Sequence, residues 1–105
     1  MKRHLLIRPQ AELDLLEMVE YLARDSLDTA RRFEAAAVET FTGLLVFPDA
    51  HPAFDLPGVE YLGLRKTAVV GFPNHLIFYR AEDDRVEVQR LIHGHRDLPA
   101  VFRGD

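Results

Sequence analysis

Five consecutive residues place a dense set of ionisable side chains beside a glycine. They are His93, Gly94, His95, Arg96 and Asp97. A histidine can act as a general base near neutral pH, and an arginine can donate hydrogen bonds to a phosphate that gains charge during a reaction. Upstream, Arg65 and Lys66 offer one further basic pair. These residue types make an active site the first hypothesis for the cluster.

A metal site is the second hypothesis for the same cluster. If the strand continues through Gly94, the rings of His93 and His95 point the same way, as side chains two apart on a strand do. Zinc, however, takes three or four protein ligands, and no other histidine has a spacing that predicts convergence. The sequence has no cysteine, so thiolate ligands are excluded. We expect no metal or cofactor here, with Gly94 bending the strand and the histidines bonding locally.

Arg90 lies upstream in a run that is otherwise rich in apolar residues. Strict alternation places it on the same face as Val88 and Ile92. Two interpretations of Arg90 stay open. The favoured one is a structural arginine paired with a carboxylate, such as Asp97 or a helix glutamate. The other is a contact to a binding partner. Arg80 on the neighbouring strand has the same two interpretations.

Length and composition predict one globular domain that spans residues 1–105. Of these residues 48% are hydrophobic and 29% charged, which is typical of folded proteins. No apolar run approaches the roughly 18 residues of a membrane span. The apolar run at residues 5–7 is too short for a signal peptide. We therefore expect a cytoplasmic protein with no membrane partner.

The distribution of charge argues against a nucleic-acid partner. The net charge is −4, and residues 1–60 carry 6 basic against 11 acidic side chains. Residues 61–105 are nearly neutral, with 7 basic and 6 acidic side chains. Proteins that bind nucleic acid by neutralising phosphates show a clear basic excess on one face. No direct nucleic-acid binding is expected.

Apolar spacing predicts two helices joined by a short link. Apolar residues recur at helical spacing over residues 10–24 and again over about 29–46. Pro9 suits the first turn of the first helix, and either Ser26 or Asp28 could cap the second. The second helix ends at residues 47–48. Two helices so closely linked form an antiparallel hairpin.

The remaining segments predict strands, turns and one long loop. Strands are predicted at residues 4–8, 61–70, 75–80 and from 86 onward, with a loop at 49–59, a turn at 71–74 and an acidic hairpin tip at 81–85. A tail at residues 98–105 could pack through Leu98, Val101 and Phe102. The fold class is therefore α+β, in the order β-α-α-β-β-β, with a helical hairpin on one face of a small, mainly antiparallel sheet.

This order and several short motifs resemble the RelE/ParE superfamily of toxins from bacterial type II toxin–antitoxin modules. The motifs are Pro9-Gln10-Ala11-Glu12-Leu13-Asp14-Leu15, Ala30-Arg31-Arg32-Phe33, Phe47-Pro48, Gly63-Leu64-Arg65, His75-Leu76-Ile77-Phe78-Tyr79-Arg80 and Ile92-His93-Gly94-His95-Arg96-Asp97-Leu98. The likeness covers nearly the whole chain. One departure is Arg8, where the family usually has a serine or threonine cap.

The resemblance implies two possible activities. ParE-type toxins poison DNA gyrase, whereas RelE-type toxins cut messenger RNA in the ribosomal decoding site. A RelE-type reaction here would have to use basic and histidine side chains, for which the candidates are Arg65, Lys66, His93, His95 and Arg96. The family's C-terminal tyrosine and lysine-rich segment are missing, which disfavours the ribonuclease.

We therefore expect a ParE-type toxin that inhibits growth by binding gyrase and has no catalytic residues of its own. The resemblance implies a cognate, ParD-like antitoxin with a DNA-binding N-terminal module, in a toxin–antitoxin hetero-oligomer. The candidates for contact with target or antitoxin are Arg65, Arg80, Arg90, His93, Arg96 and Asp97. Phe54, Leu56 and Val59 are candidates to line a docking groove. A non-toxic member of the fold that only binds antitoxin is the third hypothesis.

Overall fold

A computed structural model of the chain describes residues 3–48, 51, 63–94 and 101. Its elements are β1 (His4–Ile7), α1 (Pro9–Asp25), α2 (Leu27–Val46), β2 (Arg65–Val69), β3 (Phe72–Ala81) and β4 (Arg85–His93). The two helices pack on a four-stranded sheet whose strand order is β1-β4-β3-β2. The predicted α+β class and element order are confirmed. The loop candidates Phe54, Leu56 and Val59 lie outside the described residues, as do Leu98 and Phe102.

The ends of the two helices follow from local residue chemistry. Pro9 is the first residue of α1, where its missing N–H costs no hydrogen bond. Arg8 stands at the N-cap and its side chain makes no capping bond, as the departure from the family motif predicts. Ser26 serves both helices, because its N–H ends α1 on the carbonyl of Leu22 and its hydroxyl caps α2. This double use explains how one residue can separate two helices.

Ser26→Ala is expected to lower the free energy of unfolding by about 1 kcal/mol, because an alanine cannot accept the N-cap bond. In the wild type the Ser26 hydroxyl accepts from the N–H of Thr29 at 3.1 Å. Chemical denaturation of the purified chain measures the change. Ser26→Asp keeps an acceptor at the same position and should retain most of the stability. An equal loss in both variants would contradict a capping role.

The sheet is mixed. β1 runs parallel to β4, whereas β2 with β3 and β3 with β4 are antiparallel. The acidic tip at residues 82–84 connects β3 to β4, as predicted. The predicted turn at 71–74 is wrong in extent, because the turn is only Val70–Gly71 and β3 already begins at Phe72. Gly71 has φ +80°, a conformation that a residue with a side chain adopts at a cost.

A bulge in β4 changes which residues share a face of the sheet. Phe78 on β3 pairs with Arg90, but the next residue, Tyr79, pairs with Val88, so Gln89 is an extra residue in β4. A bulged residue shifts the alternation of side chains beyond it. β3 and β4 therefore stay paired on both sides of the bulge. The residues of β4 that face the helices, however, shift by one position at Gln89.

The bulge corrects the predicted environment of Arg90. Val86, Val88 and Leu91 face the helices and belong to the hydrophobic core. Val88 and Leu91 are three positions apart, so the regular alternation of faces is interrupted between them. Arg90 and Ile92 lie on the opposite face of the sheet, so Arg90 does not share a face with Val88. Strict alternation predicted otherwise because it cannot include an extra residue.

The core lies between the helical hairpin and the sheet. Its fully buried members from the helices are Ala11, Phe33, Ala37, Phe41 and Leu44, and those from the sheet are Val69, Ile77, Tyr79, Val86, Val88 and Leu91. Phe78 is also fully buried, on the opposite face of the sheet. Within the described residues, neither helix is long and apolar enough to cross a membrane.

Candidate functional site

The described part of the ionisable cluster ends β4 with a cross-strand histidine pair. His93 is the last residue of β4 and lies opposite His75 on β3, with ring centroids 5.1 Å apart. Gly94 follows, and its N–H donates to the carbonyl of Asn74 at 2.7 Å, which closes this end of the strand pair. His95, Arg96 and Asp97 lie outside the described residues. The sequence singled out His93, but its partner His75 received no role.

His75 is packed among aromatic rings. Its ring centroid lies 4.9 Å from that of Phe33 and 6.1 Å from that of Phe72. Its Nδ1 is buried and has no hydrogen-bond partner among the described residues. Burial, and secondarily the nearby His93, lower the pKa of His75 below its usual 6.5. At pH 7 His75 is therefore neutral, which suits an imidazole held against aromatic side chains.

The lowered pKa of His75 predicts a loss of stability in acid. The unfolded chain binds a proton at His75 more readily than the folded chain does. The stability that this residue contributes is complete above pH 6.5 and is lost as the pH falls below it. Unfolding free energies measured between pH 7.5 and pH 5 check the prediction.

A matched pair of variants isolates the His75 effect. His75→Gln should flatten the pH dependence, whereas His4→Gln, at an exposed histidine on β1, should leave it unchanged. A wild-type profile that is flat from pH 7.5 to pH 5 would contradict the assignment. So would a His75→Gln profile that retains the full acid loss.

Although Arg90 pairs with Phe78 on the face of the sheet opposite the core, its guanidinium reaches Asp14 on α1. Its Nε and Nη2 donate to the two carboxylate oxygens of Asp14 at 2.7 and 3.2 Å. The backbone N–H of Leu91 donates to Asp14 Oδ2 at 3.0 Å, and Gln10 Nε2 donates to Oδ1 at 3.1 Å. The Asp14 side chain is only 7% exposed. Four donors thus hold one buried carboxylate.

This contact supports the structural interpretation of Arg90, and its contact with a binding partner stays a prediction. The structural interpretation holds, but the partner is a helix aspartate rather than Asp97 or a helix glutamate. The bulge at Gln89 brings the N–H of Leu91 and the guanidinium of Arg90 to the same carboxylate. In the sequence, Asp14 appeared only within the motif at residues 9–15 and was assigned no contact. Its place in the Asp14-Leu15 part of the family motif was the one signal that it does more.

A groove runs between α1 and the histidine pair. It encloses about 770 Å³. Its polar lining includes Glu17 and Glu20 from α1 together with His75 and His93 from the sheet, and Tyr21 adds an aromatic wall. Among the described residues no three histidine, cysteine or carboxylate side chains are grouped so that they could hold a metal ion. The groove can offer hydrogen bonds and an apolar wall to a partner.

The other candidate cations lie on β2 and β3. Arg65 pairs with Tyr79, and its Nη1 donates to the backbone carbonyl of His51 at 2.7 Å. Lys66, one position further, pairs with Phe78 and therefore lies on the opposite face of the sheet. Arg80 forms an ion pair with Glu82 at 3.0 Å.

The cationic candidates therefore lie on two different faces of the sheet. Arg65 and His93 lie on the face that carries the helices, whereas Lys66, Arg80 and Arg90 lie on the opposite face. A site that stabilises a transferring phosphate needs its donors to converge on one group of oxygen atoms. The described members of the ribonuclease set do not converge in this way.

Comparison with known proteins agrees with this fold and these motifs. The sequence matches the family described as the ParE toxin of the type II toxin-antitoxin system, parDE, over residues 5–98. The chain belongs to the ParE toxin family. The match starts in β1 and includes every helix and strand, so the ParE fold accounts for the whole described architecture. No curated protein matches the sequence.

A solved structure described as the chromosomal ParDE TA system from P. aeruginosa has the same fold as this ParE family member. The TM-score is 0.69, and the alignment covers 88% of this chain and 96% of the other. The two sequences are 15% identical. The ParE fold is therefore kept with few shared side chains, and the surface residues of this chain must be assigned from its own structure.

Proposed function

We propose that this chain is a cytoplasmic toxin that stops bacterial growth by binding DNA gyrase, and that a cognate antitoxin neutralises it. The observation that carries the proposal is membership of the ParE toxin family over residues 5–98. The resemblance of the sequence to ParE-type toxins supplies gyrase as the target. A ParD-like antitoxin with a DNA-binding N-terminal module would complete a hetero-oligomer.

The site geometry supports action by binding rather than by catalysis. Arg90 is committed to Asp14, and Arg65 holds a backbone carbonyl. Lys66 lies on the other face of the sheet from Arg65 and His93. Cleavage of RNA would need a base and several cationic donors around one phosphate. The described residues do not bring a base and several cationic donors together around one point.

Expression without an antitoxin tests the proposed target. We expect growth arrest with loss of negative supercoiling in a reporter plasmid while protein synthesis continues. The purified chain should also inhibit supercoiling by purified gyrase in a dose-dependent manner. Rapid arrest of translation with codon-specific cuts in messenger RNA would overturn the gyrase proposal in favour of the ribonuclease. Folded protein that causes no growth defect would overturn it in favour of a non-toxic member of the family.

Two matched variants test whether the Arg80 surface takes part in binding. Arg80→Ala removes one exposed ion pair, with Glu82, and Arg32→Ala removes another, with Asp28. Exposed pairs of this kind contribute little to stability, so both variants should fold. If Arg80 contacts gyrase or antitoxin, only Arg80→Ala should weaken gyrase inhibition or antitoxin binding. Equal behaviour of the two variants in both assays would remove Arg80 from the contact candidates.

The antitoxin part of the proposal has its own test. Co-expression with the product of the adjacent reading frame should restore growth, and the two chains should purify together in a fixed ratio. The solved neighbour from P. aeruginosa is described as a ParDE TA system, which supports such a partner. Restored growth without a stable complex would contradict direct neutralisation.

A further inference from the structure

We propose that a pocket beside the start of α1 binds the carboxylate of an acidic side chain from a protein partner. The pocket encloses about 570 Å³ on the side of the molecule where β1 leads into α1. Three arginines line it, namely Arg8, Arg80 and Arg90, and Leu13 and Leu64 supply apolar walls. Cationic groups beside apolar surface suit a carboxylate carried on a peptide.

Two of these arginines already have carboxylate partners. Arg90 holds Asp14, and Arg80 holds Glu82. Arg8 is exposed, and its side chain makes no hydrogen bond or ion pair to any residue that the structure describes. The pocket therefore offers one guanidinium group for a ligand, and Arg80, which is paired with Glu82, is in the same lining.

The start of α1 belongs to the same lining, through Arg8, Pro9 and Gln10. The first bond within the helix runs from the N–H of Glu12 to the carbonyl of Arg8 at 3.0 Å. Pro9 has no N–H, and no side chain caps the helix. Ala11 is fully buried, so only the N–H of Gln10, which lines the pocket, precedes that first bond and is available to an anion. The partial positive charge of the helix end acts in the same direction.

The surrounding charges favour a single carboxylate over a nucleic-acid backbone. The chain carries a net charge of −4, and the acidic turn at residues 82–84 begins two positions after Arg80. The several phosphates of a nucleic-acid backbone would be repelled by that acidic turn. A single carboxylate needs only the Arg8 end of the pocket. We take the antitoxin as the source of such a side chain, and that identification rests on the proposed function. The carboxylate site itself does not depend on the proposed function.

Titration of the ¹⁵N-labelled full chain with N-acetylglutamic acid α-amide tests the site. We expect saturable NMR shifts at the backbone N–H of Gln10 and at the Nε–H of Arg8. The neutral match, N-acetylglutamine α-amide, should produce no saturable shifts there. Arg8→Gln should weaken binding at least fivefold. Arg31→Gln, which removes the same charge from an exposed position on α2, should leave it unchanged.

Three results would overturn the proposal. They are equal responses to the acidic and neutral amides, equal affinity in Arg8→Gln and wild type, and inorganic phosphate binding tenfold more tightly than the acidic amide. The last would assign the pocket to phosphate groups. Because the titration uses neither gyrase nor antitoxin, its outcome is independent of whether the chain inhibits gyrase.

Discussion

Asp14→Ala is expected to lower the free energy of unfolding by about 3–5 kcal/mol, because it leaves the charge of Arg90, whose side chain is only 22% exposed, without its partner. The guanidinium of Arg90 and the N–H of Leu91 would both lose their acceptor between α1 and β4. For a domain of this size the loss corresponds to a fall in Tm on the order of 15–25 °C. Thermal unfolding followed by circular dichroism measures it.

Two further variants separate the charge effect from packing. In the double variant Asp14→Leu, Arg90→Met both charges are replaced by apolar side chains, and it should recover a large part of the stability lost in Asp14→Ala. Arg32→Ala breaks the exposed pair with Asp28, whose side chains are 67% and 82% exposed, and should change Tm little. If Asp14→Ala and Arg32→Ala have the same small effect, Asp14 does not anchor α1.

Phe33→Ala is expected to lower the free energy of unfolding by about 3–5 kcal/mol, since it leaves a cavity in the core. Phe33 is fully buried on α2, and its ring meets Phe72 edge-on at a centroid distance of 5.0 Å. It also covers His75, whose pKa is lowered chiefly by burial. Removing the ring should therefore raise the pKa of His75 toward 6.5. Denaturant unfolding and an NMR titration of His75 measure the two effects.

Val38→Ala is the matched control for Phe33→Ala. Val38 lies on the same helix but is 55% exposed, so its truncation should cost little stability and leave the titration of His75 unchanged. A Phe33→Ala variant that loses stability while the pKa of His75 stays fixed would show that Phe33 does not shield that imidazole.

The helices were predictable because their signals are local. The spacing of apolar residues along α1 and α2 marks the faces that pack on the sheet, and Pro9 marks the start of α1 within one residue. The capping function of Ser26 was one of two predicted alternatives. The acidic hairpin between β3 and β4 was predictable for the same reason, since a cluster of charged residues separates two apolar runs.

The face of Arg90 and its partner were not predictable from neighbouring residues. The bulge at Gln89 arises from how β4 pairs with β3, and no turn residue marks it. Asp14 and Arg90 are 76 positions apart, so only the tertiary fold brings them together. The extent of the turn at Gly71 was overestimated because Pro73 and Asn74, residues typical of turns, stand inside a strand.

The parallel pairing of β1 with β4 sets the order in which the protein can assemble during synthesis. His4 pairs with Arg85, so a ribosome makes β1 long before the strand that it joins exists. The helical hairpin and the β2–β3–β4 meander need only neighbours in sequence, and such contacts form quickly. The closing contact is long-range. The nascent chain therefore lacks a finished toxin surface until β4 has been made, which gives an interval between the start of translation and the first folded molecule.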